Sequence, residues 1–165
     1  MTPEEYTKWV GWYYSEVGTE PWNQDVTEGD VPVLDCFDDS TNGIIGSSNG
    51  LRGMMQGIRG YVSNGSYRDT DELIIQKIPC WCAHIGQGMI QGRLRVDAVD
   101  VTICVGGVQV NPGDVVVADG DGVIVVPLAM ARKVGEQARS MNKSDRRSRG
   151  KFYREAGMEL DSTVD

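Results

Sequence analysis

Apolar side chains at Tyr6, Trp9, Val10 and Tyr13 recur at helical spacing behind Thr2-Pro3-Glu4-Glu5, a run with a capping threonine and acids in the first turn. The pattern predicts an amphipathic helix whose aromatic stripe serves packing or docks on a neighbouring subunit. Residues 18–30 are polar and rich in turn formers, so they read as a connector, and the compact domain is expected to begin near Asp30. From there the period shortens. Val31–Cys36 reads as a strand, and Gly43–Gly46 leads into a helix from Ser47 through Gln56. A strand over Ile58–Ser63, an Asn64-Gly65 turn and a short helix over Thr70–Gln76 follow, then a buried strand at Ile78–His84 and another at Val99–Cys104.

The second half is punctuated by glycine. Gly106 to Asp114 has the character of a hairpin with a Pro112-Gly113 turn. Val115–Asp119 and Val123–Val126 are β-rich runs separated by Gly120-Asp121-Gly122, a strong reversal signal between β-branched residues. Pro127 then opens a helix expected to run from Leu128 to about Met141. The predicted organisation is a helical arm and connector over 1–29, one α/β domain over 30–141, and a basic C-terminal extension over 142–165.

The chain of 165 residues is of single-domain size, and no apolar run approaches the roughly 20 residues that cross a bilayer. No membrane partner is expected. Met1-Thr2-Pro3-Glu4-Glu5 lacks the basic start and apolar core of a secretory leader, so a cytoplasmic location is the expectation. A net charge of −8 disfavours general nucleic-acid binding. One exception to that charge balance is local: Lys143, Arg146, Arg147, Arg149, Lys151 and Arg154 crowd a short stretch that reads as a solvated helix face, an inter-subunit contact or a surface for an anionic partner. The four cysteines, at 36, 80, 82 and 104, fit neither paired CxxC motifs nor a disulfide framework. Reduced, buried thiols are expected, the alternative being metal ligation completed by His84, the sole histidine.

Candidate chemistry centres on Arg68-Asp69. Arginine offers a planar fork for a carboxylate, and aspartate offers hard oxygen to magnesium or manganese. Together they suit a 2-oxo acid held by its carboxylate and carbonyl, with the metal stabilising the enolate left by C–C cleavage. A surface ion pair closing a turn is the plainer reading of the same two residues. Unpaired backbone amides at Ser47-Ser48-Asn49 can hold a small anion, although serine at a helix start is also an ordinary cap.

Gly57-Ile58-Arg59-Gly60 through Arg68-Asp69, then Pro79, then Gly106-Gly107-Val108-Gln109-Val110-Asn111-Pro112-Gly113-Asp114 through Gly122-Val123, resemble the regulator of ribonuclease activity A family. That family includes the 4-hydroxy-4-methyl-2-oxoglutarate aldolases, which also decarboxylate oxaloacetate. The resemblance covers about Asp30 to Pro127 and implies a swivelling β/β/α domain assembled as a homotrimer or homohexamer with sites between subunits. It implies that Arg68 binds the pyruvate portion of a 2-oxo acid substrate, that Asp69 holds Mg2+ or Mn2+, and that Ser47, Ser48 and Asn49 contact the substrate carboxylate through backbone amides. Glu72 fits the family's acidic position three residues after Asp69.

Departures from the family are specific. The residue twenty-one before the arginine is an acid in the aldolases and is Ser47 here, which cannot act as a carboxylate base. Asn64 precedes Gly65 where an acid often stands, and Met1 to Gly29 does not resemble the family's N-terminal portion. Three functions are therefore expected to compete: a metal-dependent lyase favouring decarboxylation, a non-catalytic regulator that contacts a basic protein, and a subunit of a hetero-oligomer.

Overall fold

A computed structural model describes residues 1–18 and 20–164, so Thr19 in the expected connector and Asp165 at the end of the expected extension lie outside the described residues. The chain forms two compact units. The first comprises Met1–Pro112 with Val116–Val125, and the second Gly113–Val115 with Val126 onward.

Helix α1 (Pro3–Glu16) starts at the predicted capping box: the Thr2 hydroxyl accepts from Glu5 N–H, and the Glu5 carboxylate accepts from Thr2 N–H at 2.7 Å. Part of its aromatic face packs within the unit, while Tyr6 stays exposed. Tyr13 is buried, the Tyr6 hydroxyl lies 3.2 Å from Met89 Sδ, and the Tyr14 hydroxyl accepts from Gln91 Nε2. The connector holds a 3-10 turn at Pro21–Gln24, from which Trp22 packs on the core.

Strand β1 (Val33–Leu34) is far shorter than the Val31–Cys36 run predicted. β2 (Gly43–Ile45), α2 (Ser47–Gln56), β3 (Tyr61–Tyr67), α3 (Thr70–Ile75) and β4 (Cys80–Ile85) follow. All pairings in this four-stranded sheet are parallel. β3 is its axis: β1 pairs at Val62 and Ser63, β2 at Ser66 and Tyr67, and β4 runs beside β3 from Tyr61↔Cys80 to Tyr67↔Ile85. Every residue of β3 is buried, as a central parallel strand requires. The core gathers Ile45, Ile58, Tyr61, Tyr67, Leu73 and Ile78 between this sheet and the helices. Each aliphatic side chain among them contributes roughly 1.5–3 kcal/mol through burial.

The Asn64-Gly65 turn does not form. Both residues lie inside β3, where the register against β4 shifts between Ser63 and Ser66, leaving one extra residue on β3 as a bulge. Asn64 stays in the strand because its side chain supplies partners that the ladder lacks: Oδ1 accepts from Cys36 N–H at 2.7 Å and Nδ2 donates to Asp35 at 2.9 Å. A β-carbon at Gly65 would stand 2.7 Å from Cys36 Cβ and Ile44 Cδ1, so the glycine serves close approach rather than a turn. β4 is also not the buried strand expected. Its burial falls from intermediate at Cys80–Cys82 to exposed at Ala83–Ile85, as suits a strand paired to β3 on one side. His84 is exposed.

The hairpin of β5 (Ile103–Val105) and β6 (Val108–Val110) turns at Gly106-Gly107, both with positive φ. The strand expected at Val99–Cys104 is confined to its last residues, because Val99 to Thr102 enter no ladder. β7 (Val115–Asp119) and β8 (Gly122–Val126) pair as predicted, and Trp81 Nε1 donates to Asp119 O at 2.7 Å. All four cysteines are free, yet none is fully buried: Cys36, Cys80 and Cys82 are half-buried and Cys104 is exposed. Burial raises the Cys36 and Cys82 thiols and pushes Cys80 up to about 12, which keeps them protonated and unreactive.

In the second unit a short 3-10 turn, Leu128–Met130, leads into α4 (Ala131–Glu155). This helix runs well past the expected end at Met141, so Lys143 to Arg154 lie on a continuous helix, in line with the helix-face reading of the basic stretch. The chain then folds back: Tyr153 donates to Asp161, and Arg146 and Arg149 donate to the carbonyls of Ser162 and Thr163.

Candidate 2-oxo acid site

The carboxyl end of β3 delivers Arg68, whose N–H donates to Ile45 O at 3.0 Å and so continues the pairing with β2. Asp69 then takes a left-handed conformation, φ 56° and ψ 42°, and caps α3. Aspartate tolerates this region better than most residues, and the kink turns its carboxylate back across the strand ends. There it meets the start of α2. Asp69 Oδ2 accepts from Ser47 N–H at 3.0 Å, lies 3.4 Å from the Ser47 hydroxyl, and stands 3.8 Å from Arg68 Nε.

Two glycines make this approach possible. A β-carbon at Gly46 would fall 2.5 Å from Asp69 Oδ2 and 2.9 Å from Arg68 Nε, and one at Gly43 would fall 2.6 Å from Arg68 Cβ. Neither glycine was singled out from the sequence as a site residue. The available signal was a glycine directly before a helix start, with another three residues earlier.

The structure thus brings four of the five predicted site residues to one place by direct or adjacent contact: Arg68, Asp69, Ser47 and, next along α2, Ser48. Asn49 occupies the third position of the helix, and its carbonyl accepts weakly from Tyr61 at 3.4 Å. One adjustment to the expected roles follows. Ser47 N–H is already engaged by Asp69, so the amides left for a bound anion at this helix start are those of Ser48 and Asn49; Gly50 N–H returns to Gly46 O. Glu72 is exposed in α3, and its carboxylate makes no hydrogen bond or ion pair among the described residues.

Arg68 is only 23 % exposed, and its Nη1 donates a long bond, 3.4 Å, to Gly43 O. Asp69 is 40 % exposed. An ion pair at this distance and exposure adds little to stability. Among the described residues no group of three or more His, Cys, Asp or Glu side chains could hold a metal. The hydrogen bonds and ion pair of the Asp69 carboxylate all fall on Oδ2, and no hydrogen bond to Oδ1 is found among the described residues. Magnesium ordinarily takes one or two carboxylates and fills its octahedron with water and substrate oxygens, so Asp69 fits it as a single protein ligand. A site for a soft metal built from Cys and His does not fit.

Comparison with known proteins agrees with this topology. The model of the RraA-like family, described as Aldolase/RraA, matches residues 19–125. The chain belongs to this family. It is 31 % identical over 121 residues to a Halalkalibacterium halodurans protein provisionally named a 4-hydroxy-4-methyl-2-oxoglutarate aldolase, covering 73 % of this chain and 57 % of that one. An uncharacterized Methanocaldococcus jannaschii protein is 29 % identical over 56 % of this chain and 44 % of its own. The chain therefore spans about half the length of the curated relatives it matches. Among solved structures, an uncharacterized protein of Pseudomonas syringae pv. tomato superposes with a TM-score of 0.74 at 28 % identity, covering 78 % of this chain and 61 % of that one. Streptomyces coelicolor RraAS2, described as an unusual member of the RNase ES inhibitor RraA protein family, superposes at 0.69 with 30 % identity, over 78 % and 66 %. The α/β fold expected from the sequence is the fold of this family. No helix among the described residues is long and apolar enough to cross a membrane.

Proposed function

We propose that this chain is a divalent-metal-dependent lyase that cleaves a small 2-oxo acid, by decarboxylation in preference to retro-aldol cleavage. The observation that carries the reading is the convergence of Arg68, Asp69 and the amino end of α2: Ser47 N–H donates to Asp69 at 3.0 Å, and Arg68 Nε stands 3.8 Å from the same carboxylate. A magnesium or manganese ion at Asp69 would supply Lewis acidity to the 2-oxo carbonyl. The chain's own part is binding and orientation. Arg68 offers its guanidinium to the substrate's C1 carboxylate, and the Ser48 and Asn49 amides add donors aligned with the helix dipole. Ser47 and Gly46 hold Asp69 in position.

Position 47 decides between the two cleavages. Retro-aldol cleavage needs a base to take the proton of the 4-hydroxyl group, and the hydroxyl of Ser47 is no such base at ordinary pH. Loss of carbon dioxide from a 3-carboxy-2-oxo acid needs none: the C–C electron pair passes into the enolate of pyruvate, which then takes a proton from water. Assembly as a homotrimer or homohexamer belongs to the same proposal. Pyruvate release from oxaloacetate and from 4-hydroxy-4-methyl-2-oxoglutarate, with and without magnesium, tests the reading. Turnover of oxaloacetate above 4-hydroxy-4-methyl-2-oxoglutarate is expected, and absence of metal-dependent turnover of either counts against it.

A second reading rests on Ser47 and on the likeness to Streptomyces coelicolor RraAS2, described as a member of an RNase ES inhibitor family. In it the chain is a non-catalytic regulator that binds a protein partner. A partner recovered equally well by wild type and Asp69→Ala, in the absence of turnover, would favour it.

A further inference from the structure

Helix α4 carries nine lysines and arginines against three acids, a net charge of +6 within a chain whose total is −8, so the remaining sequence carries −14. The cations are not dispersed around the helix. Arg139, Lys143, Arg146 and Arg147 stand at i, i+4, i+7 and i+8, on one face. Like charges four residues apart weaken a helix, and neither ion pair found among the described residues includes a residue of α4. Helix stability gives no reason for this row.

The row lines a concavity. The returning C-terminal segment brings Val164 against α4, and an open groove of about 630 Å³ lies between Val164, Ala138, Arg139, Asn142, Lys143 and the Arg146-Arg147 pair. Its wall is built by side chains. Arg146 Nη2 donates to Ser162 O at 3.2 Å and Arg149 Nη2 to Thr163 O at 3.0 Å, while Asp161 accepts from Tyr153 and from both the amide and hydroxyl of Thr163. Those contacts engage Arg146, Arg149 and Asp161, and among the described residues Lys143 and Arg147 form no ion pair.

We propose that this groove binds a compact oligophosphate. Its volume is that of a small-molecule site. Its polar side chains are cations apart from the Asn142 carboxamide, which donates and accepts, so a ligand rich in acceptors and negative charge fits it. Arginine forks and a lysine point charge suit phosphoryl oxygens. No aromatic side chain lines the groove, which removes the stacking platform a nucleobase would use. The charge of −14 on the remaining sequence opposes a long polyanion, whereas a short one is held locally.

Titration calorimetry of the whole protein with inorganic tripolyphosphate at about 0.1 M salt, a Debye length near 10 Å, tests the site. One saturable site per chain is expected, weakened at least about tenfold by Lys143→Ala with Arg147→Ala and unaffected by Lys8→Ala with Arg95→Ala, which removes equal charge elsewhere. Because Lys143 and Arg147 make no hydrogen bond or ion pair among the described residues, the double variant should keep its far-UV spectrum; Lys143→Gln alone should give a smaller loss in the same direction. ATP binding no tighter than tripolyphosphate also supports the proposal. Absence of saturable binding overturns it, as does equal weakening by both double variants. Tighter binding of a single-stranded oligonucleotide than of tripolyphosphate overturns it in favour of a nucleic-acid surface.

Discussion

The backbone N–H of Ser47 donates to Asp69 Oδ2 across 3.0 Å, joining the first turn of α2 to the kink between β3 and α3. The acid of the Arg68-Asp69 pair is thereby fixed by a residue twenty-two positions earlier in the chain, through a gap that only glycine at position 46 leaves open.

Gly46→Ala should therefore act on Asp69 rather than on the fold. The added methyl collides with a carboxylate oxygen, the movable end of a side chain, so the carboxylate swings away while α2 persists. Metal-dependent pyruvate release from oxaloacetate should fall at least about tenfold, the scale expected when a reacting group is misplaced by an ångström. Unchanged release with an unchanged melting temperature would show that the placement of Asp69 is immaterial.

Gly65→Ala should instead lower stability. A β-carbon there meets Cys36 Cβ and Ile44 Cδ1 at 2.7 Å inside a wholly buried strand, and overpacking of this kind costs about 1–3 kcal/mol. Chemical denaturation should show a lower midpoint with little change in slope.

This position also marks where the sequence misleads. Asn-Gly between apolar runs is a common turn signal, and here it lies within a buried strand because Asn64 is bonded by Cys36 and Asp35, residues nearly thirty positions away. Local chemistry cannot reveal partners at that separation. The elements set by local rules were readable: the Thr2-Glu5 capping box, the β7–β8 reversal and the extent of α2. Of the site, Arg68 and Asp69 were visible as a pair, but their union with Ser47 depends on parallel pairing of β2 and β3. The end of α4 was placed too early, near Met141, although the basic run beyond it does lie on a helix, as one of its readings had it; the returning tail that packs against that part of the helix is distant in sequence.

Glu20 offers a pH test of the core. Burial raises its carboxyl above the ordinary value of 4.5, opposed by a hydrogen bond from Asn23 and by the charge of Arg52, and its Oε1 is buried with no hydrogen-bond partner among the described residues. A raised carboxyl favours the protonated fold, so its contribution is full below pH 4.5 and is lost as pH rises through the elevated value. Glu20→Gln should raise the melting temperature at pH 8, with the difference from wild type narrowing below pH 4.5.

Ser47→Asp examines the choice between cleavages. A carboxylate beside Asp69 restores a base at the α2 start, and general base catalysis is worth about 10²–10⁴-fold. Cleavage of 4-hydroxy-4-methyl-2-oxoglutarate should rise relative to decarboxylation of oxaloacetate. If the ratio stays constant while Asp69→Ala removes activity, the role assigned to position 47 is wrong.

The central claim is that Arg68 and Asp69, one for a carboxylate and the other for a divalent cation, form a single 2-oxo acid site. Calorimetric binding of oxalate, which mimics the enolate of pyruvate, measures it without reference to any particular substrate. Oxalate should bind wild type only with magnesium present, Asp69→Ala should lose the magnesium requirement together with most of the affinity, and Arg68→Ala should not bind. Oxalate binding that is indifferent to magnesium, or that survives both substitutions, would contradict the account.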